Sequence, residues 1–324
     1  MKNNIIIDCD PGIDDSLAIM LALSSKEINV VGITIVCGNT PVQLGFENAK
    51  KILKQMNRLD VPIYIGENEP LKKTYTDALD THGADGLGES FLPDVCGYEQ
   101  TKTAIEFMAE TLKKIPCSVI AIGPLTNLAK LIAYDEGAFN QIEQLISMGG
   151  NYRSHGNCSP VAEYNYWEDP EAANIVYEHM TKIKKQIHMV GLDVTRKIVL
   201  TPNLLAYMNR LDANVGSFIQ KITKFYFDFH WKQEHLIGCV INDPLAIAYC
   251  IDPSICAGFS AYTTVETKGI TRGQTVVDAY RFYQQKPNAF VLTEVDHKKF
   301  FYLLFMKLFH KTKEELDILD TLMV

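Results

Sequence analysis

Six short runs rich in β-branched residues recur through the first two thirds of this chain, at residues 5–7, 30–36, 61–65, 118–122, 144–148 and 187–190. Each is apolar on both faces, as buried parallel strands are. Amphipathic stretches at 15–24, 45–56, 101–114, 125–134 and 169–180 separate them. This rhythm predicts an open, mostly parallel α/β sheet with Rossmann-like helices on both faces. Asn127-Leu128-Ala129 reads as a helix start, as does Asp169-Pro170-Glu171-Ala172-Ala173, with Asp169 as N-cap and Pro170 in the first turn. From about Ala206 the chain reads as mostly helical, through the aromatic stretch Phe225 to Trp231. A last β-like region, 259–265 and 274–277, bridged by Lys268-Gly269 and Arg272-Gly273, reads as a hairpin or sheet extension. No Pro/Ser-rich linker, low-complexity tract or internal repeat interrupts the pattern, so residues 1–324 are read as a single domain with extra C-terminal helices and hairpin.

Composition narrows the partners. The 31 Lys and Arg against 39 Asp and Glu leave a formal net charge of −8, without a long basic run. Nucleic-acid binding by counterion release needs clustered cations, so no nucleic-acid partner is expected. The apolar runs fall short of the ~20 residues of a membrane span, and the chain enters its first apolar run too early for a signal peptide. Eight cysteines without a Cys-x-x-Cys pair read as buried thiols in a reducing cytosol.

Ligands of such sheets bind at the carboxyl ends of the strands. Here those ends run into polar or glycine-rich sequence: Asp8-Cys9-Asp10, Cys37-Gly38-Asn39-Thr40, Gly123-Pro124-Leu125-Thr126-Asn127, Met148-Gly149-Gly150-Asn151 and Leu192-Asp193-Val194-Thr195. The first carries most information. Asp8-Cys9-Asp10-Pro11-Gly12-Ile13-Asp14-Asp15 packs four carboxylates into eight residues. Acids so close repel one another and resist ionisation when buried unless a cation neutralises them. A set of oxygen ligands favours Ca²⁺ or Mg²⁺ over zinc. Pro11-Gly12 forms a turn able to bring Asp14 and Asp15 back toward Asp10. A plain helix cap needs one such residue, not four.

That segment resembles the N-terminal signature of the inosine-uridine-preferring nucleoside hydrolases, calcium-dependent enzymes that hydrolyse the N-ribosidic bond. The likeness continues in family order through Gly38-Asn39-Thr40, Gly123 to Ala129, Met148-Gly149-Gly150, Ala162-Glu163-Tyr164-Asn165, Asp169 to Ala173, Asp243-Pro244-Leu245-Ala246 and Thr271-Arg272-Gly273-Gln274-Thr275. The resemblance implies the nucleoside hydrolase fold and a Ca²⁺ ion held by Asp10, Asp15, the Thr126 carbonyl and Asp243. The remaining positions go to the ribose 2′- and 3′-hydroxyls and the nucleophilic water. It makes Asp10 the general base as well. Asp14 is then expected at the 2′-hydroxyl, Asn165 at the 3′-hydroxyl, Asn157 and Glu163 at the 5′-hydroxyl, with Asn39 and Met148 completing the substrate-binding set. A carboxylate within reach of an aligned water is what base catalysis requires. Acids around the sugar also suit an oxocarbenium-like transition state and disfavour a 5′-phosphate. The Thr126 side chain has the simpler reading of capping the helix that follows it. The family also implies a homodimer or homotetramer in cytoplasmic nucleoside salvage.

One position departs from the pattern. Many family members place His immediately before the distal calcium Asp, where it is assigned as the acid protonating the base; here that residue is Asn242, which has no proton to give. Several groups are open as substitutes. His82, in Thr81-His82-Gly83-Ala84-Asp85-Gly86-Leu87-Gly88, resembles the mobile-loop His that some pyrimidine-preferring members use near the base. His155, His230 and His235 are others, and Tyr166, Trp167, Tyr226 and Trp231 are candidate stacking rings. Asn242 itself could bond the base. Purine or pyrimidine preference stays open.

Two rival readings stand beside this one. An aspartyl phosphatase of the haloacid dehalogenase type would also use Asp8-x-Asp10, but leaves Asp14-Asp15 unexplained. A calcium-dependent nucleoside- or ribose-binding protein with little turnover would follow from Asn242 alone. The missing glycine-rich fingerprint after the first strand argues against a dinucleotide enzyme.

Overall fold

The computed structural model describes residues 2–98 and 100–323. The run Ile5-Ile6-Ile7 shows how the fold arises. Side chains alternate across a strand; Ile5 and Ile7 enter one hydrophobic core, with the helices Ile13–Ser24, Val42–Gln55, Asp243–Ile251 and His297–Phe309, while Ile6 enters the other, with the helices Ala104–Lys114, Thr126–Phe139 and Pro170–Ile183. A strand apolar on both sides must be covered on both sides. The same division separates Ile120 from Val119 and Ala121.

The strands are β1 (Asn3–Cys9), β2 (Ile28–Ile35), β3 (Ile63–Ile65), β4 (Cys117–Ala121), β5 (Ile142–Met148), β6 (Ile187–Val190), β7 (Val199–Leu200), β8 (Cys239–Val240), β9 (Cys256–Val265), β10 (Thr275–Asp278) and β11 (Ala289–Val295). Among the described residues, nine form one sheet in the order β10-β9-β11-β6-β5-β4-β1-β2-β3, and β7 pairs with β8 separately. Strands β1 to β6 and β11 run parallel; β9 is antiparallel to β11 and to β10.

All six expected parallel strands are present. The C-terminal hairpin is β9–β10, in which Thr275 faces Val265. A further strand that the sequence pattern does not predict, β11, inserts between that hairpin and β6. Asp169 caps its helix by accepting the Ala172 N–H at 3.0 Å. No helix among the described residues is long and apolar enough to cross a membrane.

From β1 the chain steps outward to β2 and β3, whereas from β4 it steps the other way to β5 and β6. The order reverses between β1 and β4, where helices diverge and a crevice opens at the carboxyl ends. Asp10 follows β1 and Thr126 follows β4, on either side of that reversal.

Candidate active site

Beyond β1, Pro11 and Gly12 turn the chain into the helix Ile13–Ser24, with Gly12 as its N-cap. Asp14 and Asp15 therefore sit in the first turn, where the helix N-terminus favours negative charge. Asp15 folds back: its Oδ2 accepts the Gly12 N–H at 3.0 Å and its Oδ1 the Asp10 N–H at 3.2 Å. The Asn39 side-chain amide donates to the same Oδ2 at 3.0 Å.

Asp243 opens the helix Asp243–Ile251. Among the described residues, Asp14, Asp15 and Asp243 each place a carboxylate oxygen within 4.8 Å of the others, and all three are buried. Asp10 is not one of that triplet but lies against it. Its Oδ2 accepts the Asn39 N–H at 2.6 Å, while its buried Oδ1 has no hydrogen-bond partner among the described residues. Two glycines make room for this carboxylate: a Cβ on Gly38 would fall 2.0 Å from Oδ2, and one on Gly123 would fall 2.7 Å from Oδ1.

The charges are under strain. Burial, then repulsion from the Asp15 carboxylate, holds Asp10 well above the usual carboxylate range. Burial and the Asp14 charge do the same to Asp243, and burial followed by Asp14 pushes Asp15 up to about 7. Hard oxygen ligands with an orphaned buried oxygen beside them fit a divalent cation, whose charge would reverse these shifts. Thr126 does not cap its helix, whose N-cap Leu125 makes no side-chain bond; the Thr126 hydroxyl donates instead to Asp169 at 2.8 Å.

Asp14 and Asp243 open onto a cavity of about 530 Å³. Asn39, Met148, Asn157, Glu163, Asn165, His82 and Asn242 also line it, whereas Asp10, Asp15 and Thr126 are not among its lining residues. Asn165 has its amide nitrogen tied to the carbonyls of Ile122 (3.0 Å) and Met148 (3.1 Å), leaving Oδ1 as an acceptor. Glu163 accepts backbone N–H groups from Gly150, Asn165 and Tyr166, yet burial outweighs them and lifts it to about 7. The exposed Asn157 accepts the Tyr164 N–H through Oδ1 at 2.9 Å.

Asn242 is turned toward Asp14, not free over the cavity: its backbone N–H and its Nδ2 both donate to Asp14 Oδ2. His82 is buried, its Nδ1 accepting the Ile13 N–H at 3.0 Å and its ring stacked on Tyr226 at 5.4 Å. Gly12 permits that approach, since a Cβ there would lie 2.5 Å from His82 Nδ1. Burial lowers the His82 pKa. His230 also lines the cavity, but its Nδ1 pairs with the Tyr226 carbonyl at 2.9 Å and its Nε2 with the Val240 N–H at 3.4 Å. His155 lies at the exposed rim. His235 is exposed at a helix end, and Trp231 beside it is 52% exposed. Tyr166 is in the core, bonded to Ser147 and Tyr177. Of the candidate rings, Tyr226 and Trp167 line the cavity.

A strap that the sequence did not advertise runs along one wall of the cavity, where Thr76, Asp77 and Ala78 line it. Leu71 donates to Asp169, Thr76 to Glu168, Tyr75 to the Gly38 carbonyl and Ala78 to the Asn39 carbonyl. Lys73 pairs with the fully buried Glu168 side chain and lies 3.4 Å over the Trp167 ring. The Glu168-Asp169 pair was the only available signal, and only the cap role of Asp169 was legible.

Residues 5–302 match the family model described as inosine-uridine preferring nucleoside hydrolase. The pyrimidine-specific ribonucleoside hydrolase RihA of Salmonella paratyphi C (strain RKS4594) is 35% identical over 304 residues, covering 93% of this chain and 96% of that protein. RihA of Escherichia coli O127:H6 is 34% identical with the same coverage. Among solved structures, a plant nucleoside hydrolase, the PpNRh1 enzyme, superposes with a TM-score of 0.89 at 28% identity, over 96% of this chain and 100% of that one. The purine-preferring ribonucleoside hydrolase from Gardnerella vaginalis gives a TM-score of 0.89 at 29% identity, over 95% and 98%.

Proposed function

The chain belongs to the inosine-uridine preferring nucleoside hydrolase family and is a ribonucleoside hydrolase, and on that premise we propose a Ca²⁺-dependent hydrolysis of pyrimidine ribonucleosides, with Asp10 as general base. The observation that carries this reading is the buried acid triplet Asp14, Asp15 and Asp243, of which Asp14 and Asp243 line the cavity, with an Asp10 Oδ1 beside it that has no partner among the described residues.

Asp10, Asp15, Asp243 and the Thr126 carbonyl would hold the ion. Bound there, Ca²⁺ would supply the positive charge that keeps these acids ionised and polarises the attacking water. Asp10 then takes a proton from that water through Oδ1, its Oδ2 being occupied by Asn39. Asp14, with one oxygen committed to Asn242, offers the other to the 2′-hydroxyl. Asn165 accepts the 3′-hydroxyl through its free Oδ1, while Glu163 and Asn157 face the 5′-hydroxyl and Asn39 and Met148 close the sugar site. Acids gathered at the ribose stabilise positive charge growing on the ring.

On the base side, the His82 tautomer follows from its bond to Ile13: Nδ1 is an acceptor, so the proton sits on Nε2. His82 acts there as a neutral donor to a pyrimidine carbonyl. The pyrimidine preference rests on this donor and on the identity to pyrimidine-specific relatives. A homodimer or homotetramer in cytoplasmic salvage follows the family resemblance; the thiols are unpaired, though Cys96 and Cys158 are exposed where the sequence suggested buried ones, and such thiols suit a reducing compartment.

The test is release of reducing sugar from uridine, cytidine, inosine, adenosine and guanosine, with Asp10→Ala as blank. Calcium-dependent release, fastest from uridine or cytidine, is expected. Faster release from purine nucleosides overturns the base preference, and no release from any of them overturns the reaction.

A further inference from the structure

The contact between Asn242 and Asp14 has no part in the reaction above beyond occupying an oxygen, yet it joins residues 228 apart in sequence. Asn242 gives its backbone N–H and one Nδ2–H to Asp14 Oδ2, at 3.2 Å and 3.1 Å. Its own Oδ1 is buried and unpartnered among the described residues. The next residue is Asp243, so the amide ties the part of the acid triplet that follows β1 to the part on the distal helix. Carboxylates this close push one another apart, and two donors on one oxygen oppose that motion. A carboxamide has no proton to give a departing base.

We propose that Asn242 is a positioning residue of the ribose site, fixing Asp14 so that its second oxygen meets a sugar hydroxyl, and that it takes no part in protonating the base. This deepens the ribonucleoside reading and rests on it.

The experiment compares the calcium-loaded wild type with Asn242→Ala and Asn242→Asp. Uridine and p-nitrophenyl β-D-ribofuranoside, whose leaving group needs no proton, serve as substrates, and ribose affinity is measured by calorimetry. Asn242→Ala removes one charge-assisted hydrogen bond and is expected to lower kcat/KM by about tenfold to a hundredfold, by the same factor on both substrates, with weaker ribose binding. Asn242→Asp matches the shape but replaces the donor with an acceptor, and is expected to fall further than Asn242→Ala. A loss confined to uridine overturns the proposal in favour of a role at the base. An Asn242→Asp variant milder than Asn242→Ala shows that the residue only fills space, and unchanged ribose affinity in Asn242→Ala also overturns it. Thermal melts and calcium titrations identify a variant that has lost its fold; Asn242→Ser, which keeps a short donor and is expected to retain more ribose affinity than Asn242→Ala, then decides. A wild type that binds ribose but frees none from any substrate refutes the reaction alone, leaving the ribose affinities to judge Asn242.

Discussion

His82 Nδ1 accepts the backbone N–H of Ile13 at 3.0 Å, which joins the short helix Leu79–His82 to the first turn of the acid-bearing helix. An imidazolium could not accept that bond, and burial already lowers the His82 pKa. A neutral hydrogen-bond donor contributes about 0.5–1.5 kcal/mol, or about threefold to tenfold, whereas a lost general acid costs about 10²–10⁴-fold. His82→Ala is therefore expected to lower kcat/KM on uridine by about threefold to tenfold. Steady-state kinetics check this; a loss in the range of a general acid shows that His82 transfers a proton.

Asp10→Asn keeps the shape and an oxygen but removes the carboxylate proposed as general base. Its kcat is expected to fall by about 10²–10⁴-fold with a smaller change in KM, measured with saturating calcium. A comparable KM increase without a fall in kcat shows that Asp10 binds substrate only.

Gly38 and Gly123 give Asp10 its space, with prospective Cβ contacts of 2.0 and 2.7 Å to its two oxygens. Gly123→Ala is expected to displace the carboxylate and lower kcat at least tenfold, an order-of-magnitude cost for a misplaced catalytic group, while the protein still melts cooperatively. Wild-type kcat in Gly123→Ala contradicts the placement of Asp10 as base.

Asp15 is raised from 3.8 to about 7 and Glu163 from 4.5 to about 7, both first by burial. Each binds its proton more tightly folded than unfolded, so its stabilising contribution is complete below the unfolded value and is lost as pH rises through about 7. Metal-free Asp15→Asn is accordingly expected to melt above metal-free wild type at about pH 8 but not at about pH 4. Calcium competes with the proton on Asp15, so the rise in melting temperature it gives the wild type is expected to grow with pH across the same window. A calcium effect independent of pH contradicts the placement of the ion among these acids.

The Lys73–Glu168 pair places an acid with no exposed side-chain surface beside a lysine that is 12% exposed. Removing one partner of a buried pair leaves an uncompensated charge, at a cost of about 3–5 kcal/mol. Lys73→Met is expected to lower the melting temperature and raise KM, because the strap from Leu71 to Ala78 is loosened; adding Glu168→Gln is expected to recover much of the stability. Melting curves of the single and double variants check the coupling.

Periodicity and motif spacing predict most of the frame. The triple isoleucine of β1 demanded cover on both faces, and Asp169-Pro170 marked a helix start that the Ala172 bond realises. β11 escaped because one alternating run after Pro287-Asn288 does not reveal that it pairs parallel with β6 and antiparallel with β9. The strap through Lys73 escaped because its bonds reach Glu168 and Asp169, more than 90 residues away.

The sequence by itself determined the alternating elements, the four acids after the first strand and the absence of an imidazole at position 242, since these are properties of local spacing and residue type. Only the tertiary structure decided that Asp14, and not Asp10, completes the close triplet with Asp15 and Asp243, that Asn242 grips Asp14, and that His82 is held by Ile13 with its proton on the far nitrogen. Side-chain direction, burial and hydrogen-bond partnership across long chain separations come from packing the helices on the sheet, and no local pattern carries them.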